Sequence, residues 1–429
     1  MILIKDLKDY KDQEVEIKGW VYNFRSSGKI SFLQIRDGSG FVQAIVVKSE
    51  VDPKVWQEVE KMTQESSVII SGQVSEHPKQ PGVFELQVKI LEIYNLAAEY
   101  PIGKKEHGPD FLLDNRHLWL RSNKQIAIQK IRNTVIQSIY NFFAEKSFCK
   151  IDSPILTPNA CEGTTTLFEV PYFDMGSAYL SQSGQLYLEA AIVAHGRVFD
   201  FGPVFRAEKS KTRRHLTEFW MMDAEMAWYD HEQNMQLQEE LICYVVVKVL
   251  EKNIAELETL ERDIEPLKKI KAPFIRLTHA EAVAKLQKLG SNIKETDDLG
   301  AEDETLLTQD LTVPVFVEKW PKDIKAFYMK RDPEDKNIVL GDDLIATEGF
   351  GEIIGGSQRE DDYEILLERM KQEKLDLTDF QWYLDLRKYG SVPHAGFGLG
   401  LERVVAWLCG LKHVRETIPF PRLINRLKP

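Results

Sequence analysis

The N-terminal quarter of the chain alternates apolar and polar residues in short runs. Residues 14–22, 30–36, 41–47, 67–74 and 83–93 follow a period of two, the pattern of strands with one buried face. Turn residues separate them: Ser26-Ser27-Gly28, Asp37-Gly38-Ser39-Gly40, and the stretch from Pro78 to Gly82. A helical segment, 53–61, falls between the third and fourth runs. Five short strands with a helix after the third predict a small closed barrel of the oligonucleotide-binding (OB) type. Residues 97–116 lose this periodicity and include Pro101, Gly103, Gly108 and Pro109. The expected domains are therefore 1–102, a hinge at 103–116, and a second domain at 117–429.

The second domain opens with Ile128, Ile131, Val135, Ile139, Phe142 and Phe143 at helical spacing within 124–146. A strand at 148–157 follows, with Pro154 inside it, which suits a sheet edge. Residues 202–208 and 216–227 read as two strands joined by a basic turn holding Lys209, Lys211, Arg213 and Arg214. The period of two puts Arg206 and Glu208 on one face of the first strand. It puts Phe219, Asp223 and Glu225 on one face of the second. The charged helical stretch 228–270 reads as an exposed insertion or a covering helix pair, and 270–330 carries no strong pattern. In 393–403, PHAGFGLGLER, Gly396, Gly398 and Gly400 alternate with apolar residues and lead into an apolar helix at 404–411. Such glycines clear a strand face for a flat ligand, and Gly355-Gly356 allow close backbone approach.

Composition narrows the class. Hydrophobic residues are 43% and charged residues 28%, ordinary for a soluble globular protein. No apolar run reaches the roughly 18 residues of a membrane span. The N-terminus, MILIKDLKDYKDQ, has charges where a signal peptide needs its apolar core. Cys149, Cys161, Cys243 and Cys409 are scattered with no CxxC pair, so neither structural zinc nor a disulfide framework is expected and a reducing cytoplasm fits. The formal net charge of −12 argues against a nucleic-acid partner taken alone, but local basic patches are what neutralise phosphates.

An arginine and a glutamate beside a cationic loop and an aromatic strand make a poor core and a good cradle for a charged, flat nucleotide. The Arg206 guanidinium can grip carboxylate and phosphate with two parallel hydrogen bonds. Asp343 and Glu352 are hard ligands suited to magnesium bridging phosphates, with Asp342 competing for the first place. Plainer readings stand beside these: a hairpin with a surface ion pair, and a Gly-rich turn with solvated acids. On the barrel, Phe32 and Gln43 fall on neighbouring strands with Arg25 and Lys29 nearby. An aromatic can stack a base and an amide can read its edge; the barrel pattern alone equally allows Phe32 as core and Gln43 as a solvated polar residue.

The tetrapeptide Phe205-Arg206-Ala207-Glu208 resembles motif 2 of the class II aminoacyl-tRNA synthetases. The helix at 124–146 with its proline-bearing strand resembles motif 1, and 393–403 resembles motif 3, with Arg403 as its arginine. In this order behind an OB-type barrel, they make the whole chain similar to the aspartyl/asparaginyl/lysyl subgroup. The resemblance implies an α+β fold whose antiparallel catalytic sheet is flanked by helices, in a homodimer. It implies ATP-dependent formation of an aminoacyl adenylate and transfer to tRNA, releasing AMP and diphosphate. Arg206, Glu208 and Arg403 take catalytic positions. Arg206, Arg214, His215, Phe219, Glu352 and Arg403 take ATP positions, Phe219 and Arg403 on opposite faces of adenine. Glu162, Ser183, Gln185, Asp223, Glu225 and Arg359 take amino-acid positions, and Asp343 and Glu352 take Mg2+ positions. Arg25, Phe32, Gln43 and Glu85 take anticodon positions.

Within the subgroup, Arg359 falls where a cation would hold a side-chain carbonyl oxygen and repel lysine. The run QSGQLYL, 182–188, has Leu188 where aspartyl enzymes carry a lysine for the substrate carboxylate, and Gly184 where they carry proline. Asp223 or Glu225 would then accept from an amide NH2. L-asparagine, ATP and tRNA(Asn) are the expected substrates. Asp223 itself matches the aspartyl pattern, so a non-discriminating aspartyl enzyme is the alternative. A tRNA-independent asparagine synthetase is a further one, against which the barrel argues.

Overall fold

Side-chain alternation along the first hundred residues closes a barrel. The computed structural model describes every residue except Met1, Lys104, Asn159, 162–166 and Lys211, in two units, Met1–Gly108 and Pro109–Pro429. In the first unit, strands Glu14–Ser26, Ile30–Arg36, Phe41–Val47, Ser67–Glu76 and Phe84–Asn95 pair in the closed order first, second, third, fifth, fourth. Val15, Ile17 and Val21 point inward while Glu14, Glu16 and Lys18 point out, as a pleat with one buried face requires. Helix Pro53–Lys61 starts where the Asp52 carboxylate accepts from Lys54 N at 2.8 Å. Its Trp56 and Val59 join the barrel core.

The second unit is built on a nine-stranded, mostly antiparallel sheet. The order runs Ile275–Thr278, Val315–Pro321, Ile338–Ala346, Gly351–Gln358, His394–Gly400, Glu218–Ala227, Arg197–Phe199 and Cys149–Lys150, with Gly202–Phe205 paired to Glu218–Ala227 off this path. Helices Asn123–Glu145, His231–Lys252 and Leu401–Cys409 cover one face. Met222, Ala224 and Met226 join that helix-side core, so Phe219, Asp223 and Glu225 fall on the opposite face of the same strand.

Two sequence expectations change here, and one open alternative is decided. Residues 148–157 are not one strand: Cys149–Lys150 belongs to the large sheet and Leu156–Thr157 to a three-stranded sheet. Pro154 lies between them, without an N–H to continue a ladder. Of the two readings of 228–270, the structure has the covering one: helices His231–Lys252 and Ile254–Thr259 pack on the sheet. Helix His231–Lys252 opens with a capping box, Asp230 with Gln233, and buries Met235, Leu241, Ile242, Val245, Val246 and Val249. Within 103–116, helix Pro109–Asp114 has already begun.

Candidate active site

The cleft face is shaped by register. Asp223 pairs with Gly398 and Glu225 with Gly396, while Gly398 also pairs with Gly355 and Gly355 with Asp343. A row of bare positions therefore runs between acid-bearing strands. A Cβ at Gly398 would lie 2.7 Å from Asp223 Oδ1, and one at Gly396 only 2.0 Å from Glu225 Oε1. The carboxylates lean into the space the glycines leave. Gly398→Ala is expected to displace Asp223 and to weaken binding of any ligand on this face about 10- to 100-fold, measured by titration of the folded variant.

A cavity of about 710 Å3 opens on this face, bounded by Ser183, Gln185, Asp223, Lys325, Asp343 and Arg359 among others. A second, of about 250 Å3, is lined by Arg214, His215, Phe219 and Arg403. Arg206, Glu208 and Glu352 line both. They thus stand where a ligand spanning the two would react.

In the larger cavity Asp223 accepts from Ser183 Oγ at 2.9 Å and Gly184 N at 2.8 Å, and its burial raises its pKa. Glu225 does not face the cavity with an unengaged carboxylate. Arg359 forks it through Nε at 3.1 Å and Nη2 at 2.5 Å, and Arg359 Nη1 donates to Ser357 Oγ at 2.6 Å. Burial pushes the Glu225 carboxyl up, and the Arg359 charge pulls against it. Leu188 packs with Ile192 and Val198 in a small apolar cluster and brings no cation to the cavity wall. Glu162 lies outside the described residues.

Asp342 and Asp343 separate by the pleat. Asp342 is held on the helix side by Gln238 Nε2 at 2.5 Å and Asn234 Nδ2 at 3.3 Å. Asp343 faces the cleft. A Cβ at Gly355 would be 3.2 Å from Glu352 Oε1 and 3.7 Å from Asp343 Oδ1, so both carboxylates converge over one bare position. Two carboxylates are the protein share of many sites in which magnesium also takes phosphate oxygens, and this donor set fits that ion. Among the described residues no group of three or more His, Cys, Asp or Glu gathers for a metal. Lys325, whose Nζ donates to Asp343 at 2.7 Å and lies 3.7 Å from the Trp320 ring centre, brings a buried cation into the same wall.

Around the smaller cavity, Arg403 donates to the Glu352 carbonyl at 2.8 Å and to its Oε2 at 3.3 Å. Burial would raise the Glu352 carboxyl; Arg403 and Lys325 outweigh it and hold the group below its ordinary range. Burial and then the Arg403 charge lower His215, which favours the neutral imidazole. Arg214 is engaged by the Glu304 carboxylate, by Thr305 Oγ1 at 2.8 Å and by the Gly349 carbonyl at 2.6 Å. The Arg206 guanidinium stands 6.0 Å from the Phe219 ring centre. Lys325 and Glu304 were missed from the sequence, since both come from the stretch without periodicity or motif.

On the barrel, a cavity of about 360 Å3 is lined by Phe24, Arg25, Phe32, Gln34, Phe41 and Gln43 among others. The Arg25 guanidinium lies 4.7 Å from the Phe32 ring centre. Gln43 Nε2 donates to Glu85 Oε1 at 2.6 Å, which leaves the Gln43 carbonyl as the outward acceptor. All four residues expected at the anticodon are therefore gathered on one face.

Comparison with known proteins gives the family. Residues 108–424 match the model of the class II tRNA synthetases (D, K and N), and 15–96 match the OB-fold nucleic acid binding domain. The chain belongs to the class II tRNA synthetases of the D, K and N group. An asparagine–tRNA ligase of Desulforamulus reducens is 55% identical over 427 residues, covering 100% of this chain and 99% of the relative. The crystal structure of asparaginyl-tRNA synthetase from Pyrococcus horikoshii complexed with asparaginyl-adenylate superposes with a TM-score of 0.97 at 46% identity, covering 100% of this chain and 99% of that one. Asparaginyl-tRNA synthetase of Entamoeba histolytica, also in complex with asparaginyl-adenylate, gives 0.88 at 31% identity over 98% and 97%. Within the group, the chain belongs to the asparagine–tRNA ligases.

Proposed function

We propose that the chain joins L-asparagine to ATP as asparaginyl-adenylate and passes the asparaginyl group to tRNA(Asn). The observation that carries this reading is the meeting of two cavities at Arg206, Glu208 and Glu352. Asparagine occupies the larger cavity and adenosine the smaller. The asparagine carboxylate attacks the α-phosphorus, the bond to the bridging oxygen breaks, and diphosphate leaves with the electron pair. Arg206 spans the carboxylate and the α-phosphate, which neutralises charge as it builds on the phosphate oxygens. Phe219 and Arg403 enclose adenine. Asp343 and Glu352 hold Mg2+, which supplies charge neutralisation to the phosphates when bound. In the second step a tRNA ribose hydroxyl attacks the adenylate carbonyl and AMP leaves.

Selection of asparagine over aspartate rests on charge balance. Arg359 is already matched by Glu225 and Lys325 by Asp343, so a second substrate carboxylate would meet acids without an added cation. Asparagine-dependent exchange of labelled diphosphate into ATP, requiring Mg2+ and absent with aspartate, is the expected result. Equal exchange with both amino acids would overturn the selection.

Arg25, Phe32, Gln43 and Glu85 read the anticodon. Gln43→Ala is expected to lower charging of tRNA by about tenfold, the loss of one base-edge hydrogen bond, with adenylate formation unchanged. A parallel fall in both steps would contradict the assignment. Homodimerisation is proposed from the likeness of 124–157 to motif 1. Ile155 and Leu156 in that segment are exposed, and light scattering of the full chain measures it. The four cysteines are free thiols, consistent with work in the reducing cytoplasm, and no described helix is long and apolar enough to cross a membrane.

A further inference from the structure

Behind Gln185 lies a charged network that the reaction scheme does not use. Glu189, one turn further along helix Gln185–His195, is fully buried. It accepts from Tyr383 OH at 2.8 Å, Arg387 Nη2 at 2.7 Å and His394 Nε2 at 3.0 Å. Its fourth donor is Gln185 Nε2 at 3.1 Å. Burial would raise this carboxyl; Arg387 and the His394 bond outweigh it and hold Glu189 well below the ordinary carboxylate range. The network is anchored in turn, Arg387 Nε donating to the Glu360 carbonyl at 2.9 Å and His394 Nδ1 lying 2.8 Å from the Val392 carbonyl.

A carboxylate has no hydrogen to give. Whatever amide atom Gln185 turns towards Glu189 must therefore be its NH2. That choice fixes the other end: Gln185 lines the asparagine cavity, and the atom left to face it is the carbonyl Oε1, an acceptor. An amino acid presents an ammonium with three donors, and a glutamine held the opposite way round would offer it hydrogens instead of lone pairs.

We propose that Glu189 is a positioning residue that locks the Gln185 carboxamide with its oxygen towards the asparagine α-ammonium group. It acts through Gln185 and touches no substrate atom. The proposal rests on reading the larger cavity as the amino-acid site.

The test is a reciprocal exchange of the two side chains. In Glu189→Gln, Arg387 and His394 hold the single carbonyl oxygen of the new side chain. Its NH2 then turns to Gln185, which must flip and aim its own NH2 at the substrate. The KM for asparagine in diphosphate exchange is expected to rise about 10- to 100-fold, the loss of one hydrogen bond to a charged group, with the KM for ATP within about twofold. Adding Gln185→Glu to the same chain restores the pattern, one carboxylate oxygen accepting from residue 189 and the other facing the ammonium. The double variant is expected to recover the asparagine KM to within about threefold of wild type. Tyr383→Phe removes a donor from Glu189 without touching Gln185, and is expected to lower the thermal midpoint while leaving the asparagine KM unchanged.

A double variant no better than Glu189→Gln, or a Glu189→Gln enzyme with wild-type KM, would overturn the proposal. If Glu189→Gln does not fold, a crystal structure of the wild-type protein with asparagine decides. The ammonium within about 3.2 Å of Gln185 Oε1 supports the proposal, and an ammonium bound away from Gln185 overturns it. Wild-type exchange that does not depend on asparagine would sink the reading of the cavity itself, a different result from either.

Discussion

Arg206→Ala lowers the rate of asparaginyl-adenylate formation by about 10²–10³-fold, with the thermal midpoint and tRNA affinity little changed. The residue follows strand Gly202–Phe205 and lines both cavities where they join. Removing a preorganised donor to developing charge typically costs about 2.7–4 kcal/mol, and each 1.36 kcal/mol is tenfold in rate. Because the charge appears mainly as the α-phosphate is attacked, the loss belongs in kcat for exchange more than in either KM. Arg206→Lys recovers little, since an ammonium cannot span carboxylate and phosphate with two parallel bonds. Single-turnover adenylate formation, followed by release of labelled diphosphate, measures it.

Arg403→Ala produces the second largest effect, a loss of about 30- to 150-fold expressed partly in the KM for ATP. The side chain leaves the first turn of helix Leu401–Cys409 and reaches the Glu352 carbonyl, which fixes its guanidinium beside the smaller cavity. In the proposed reading it would combine a cation–π contact with adenine and a charge-assisted bond to phosphate, together about 2–3 kcal/mol. Glu352 also depends on it: Arg403 is the largest influence holding that carboxyl down. The variant is therefore expected to need more Mg2+ for half-maximal exchange and to bind tRNA as wild type does. Normal exchange kinetics in Arg403→Ala would remove the residue from the ATP site.

How much of this was legible in the chain differs by region. The barrel was plain, because one face of each strand is buried and the other wet, and that alternation is written in every second residue. Arg206, Phe219, Gly398 and Arg403, singled out in the sequence by motif and alternation, all come to the cavity walls. For helix His231–Lys252 the sequence left two readings open, exposed or covering, because charged residues are interleaved with apolar ones. Its apolar stripe recurs every three or four residues among them, and only the stripe decides which side packs. Lys325 and Glu304 left no trace, each being a single charged residue brought to the cleft by tertiary structure alone. The two neighbouring aspartates could be told apart only once the pleat fixed Asp343 on the cleft side and Asp342 against Gln238. Likewise, that Glu225 is engaged by Arg359 depends on register across strands far apart in sequence.

The central claim is that this chain charges tRNA with asparagine and with no other amino acid. Its most direct test is aminoacylation of total bacterial tRNA with ATP and Mg2+, run in parallel with labelled asparagine and labelled aspartate. Label from asparagine alone should reach the tRNA, in an amount matching the tRNA(Asn) present. Label from aspartate at a comparable rate would mean that the matched pairs Arg359–Glu225 and Lys325–Asp343 do not exclude a second carboxylate, and would contradict the account.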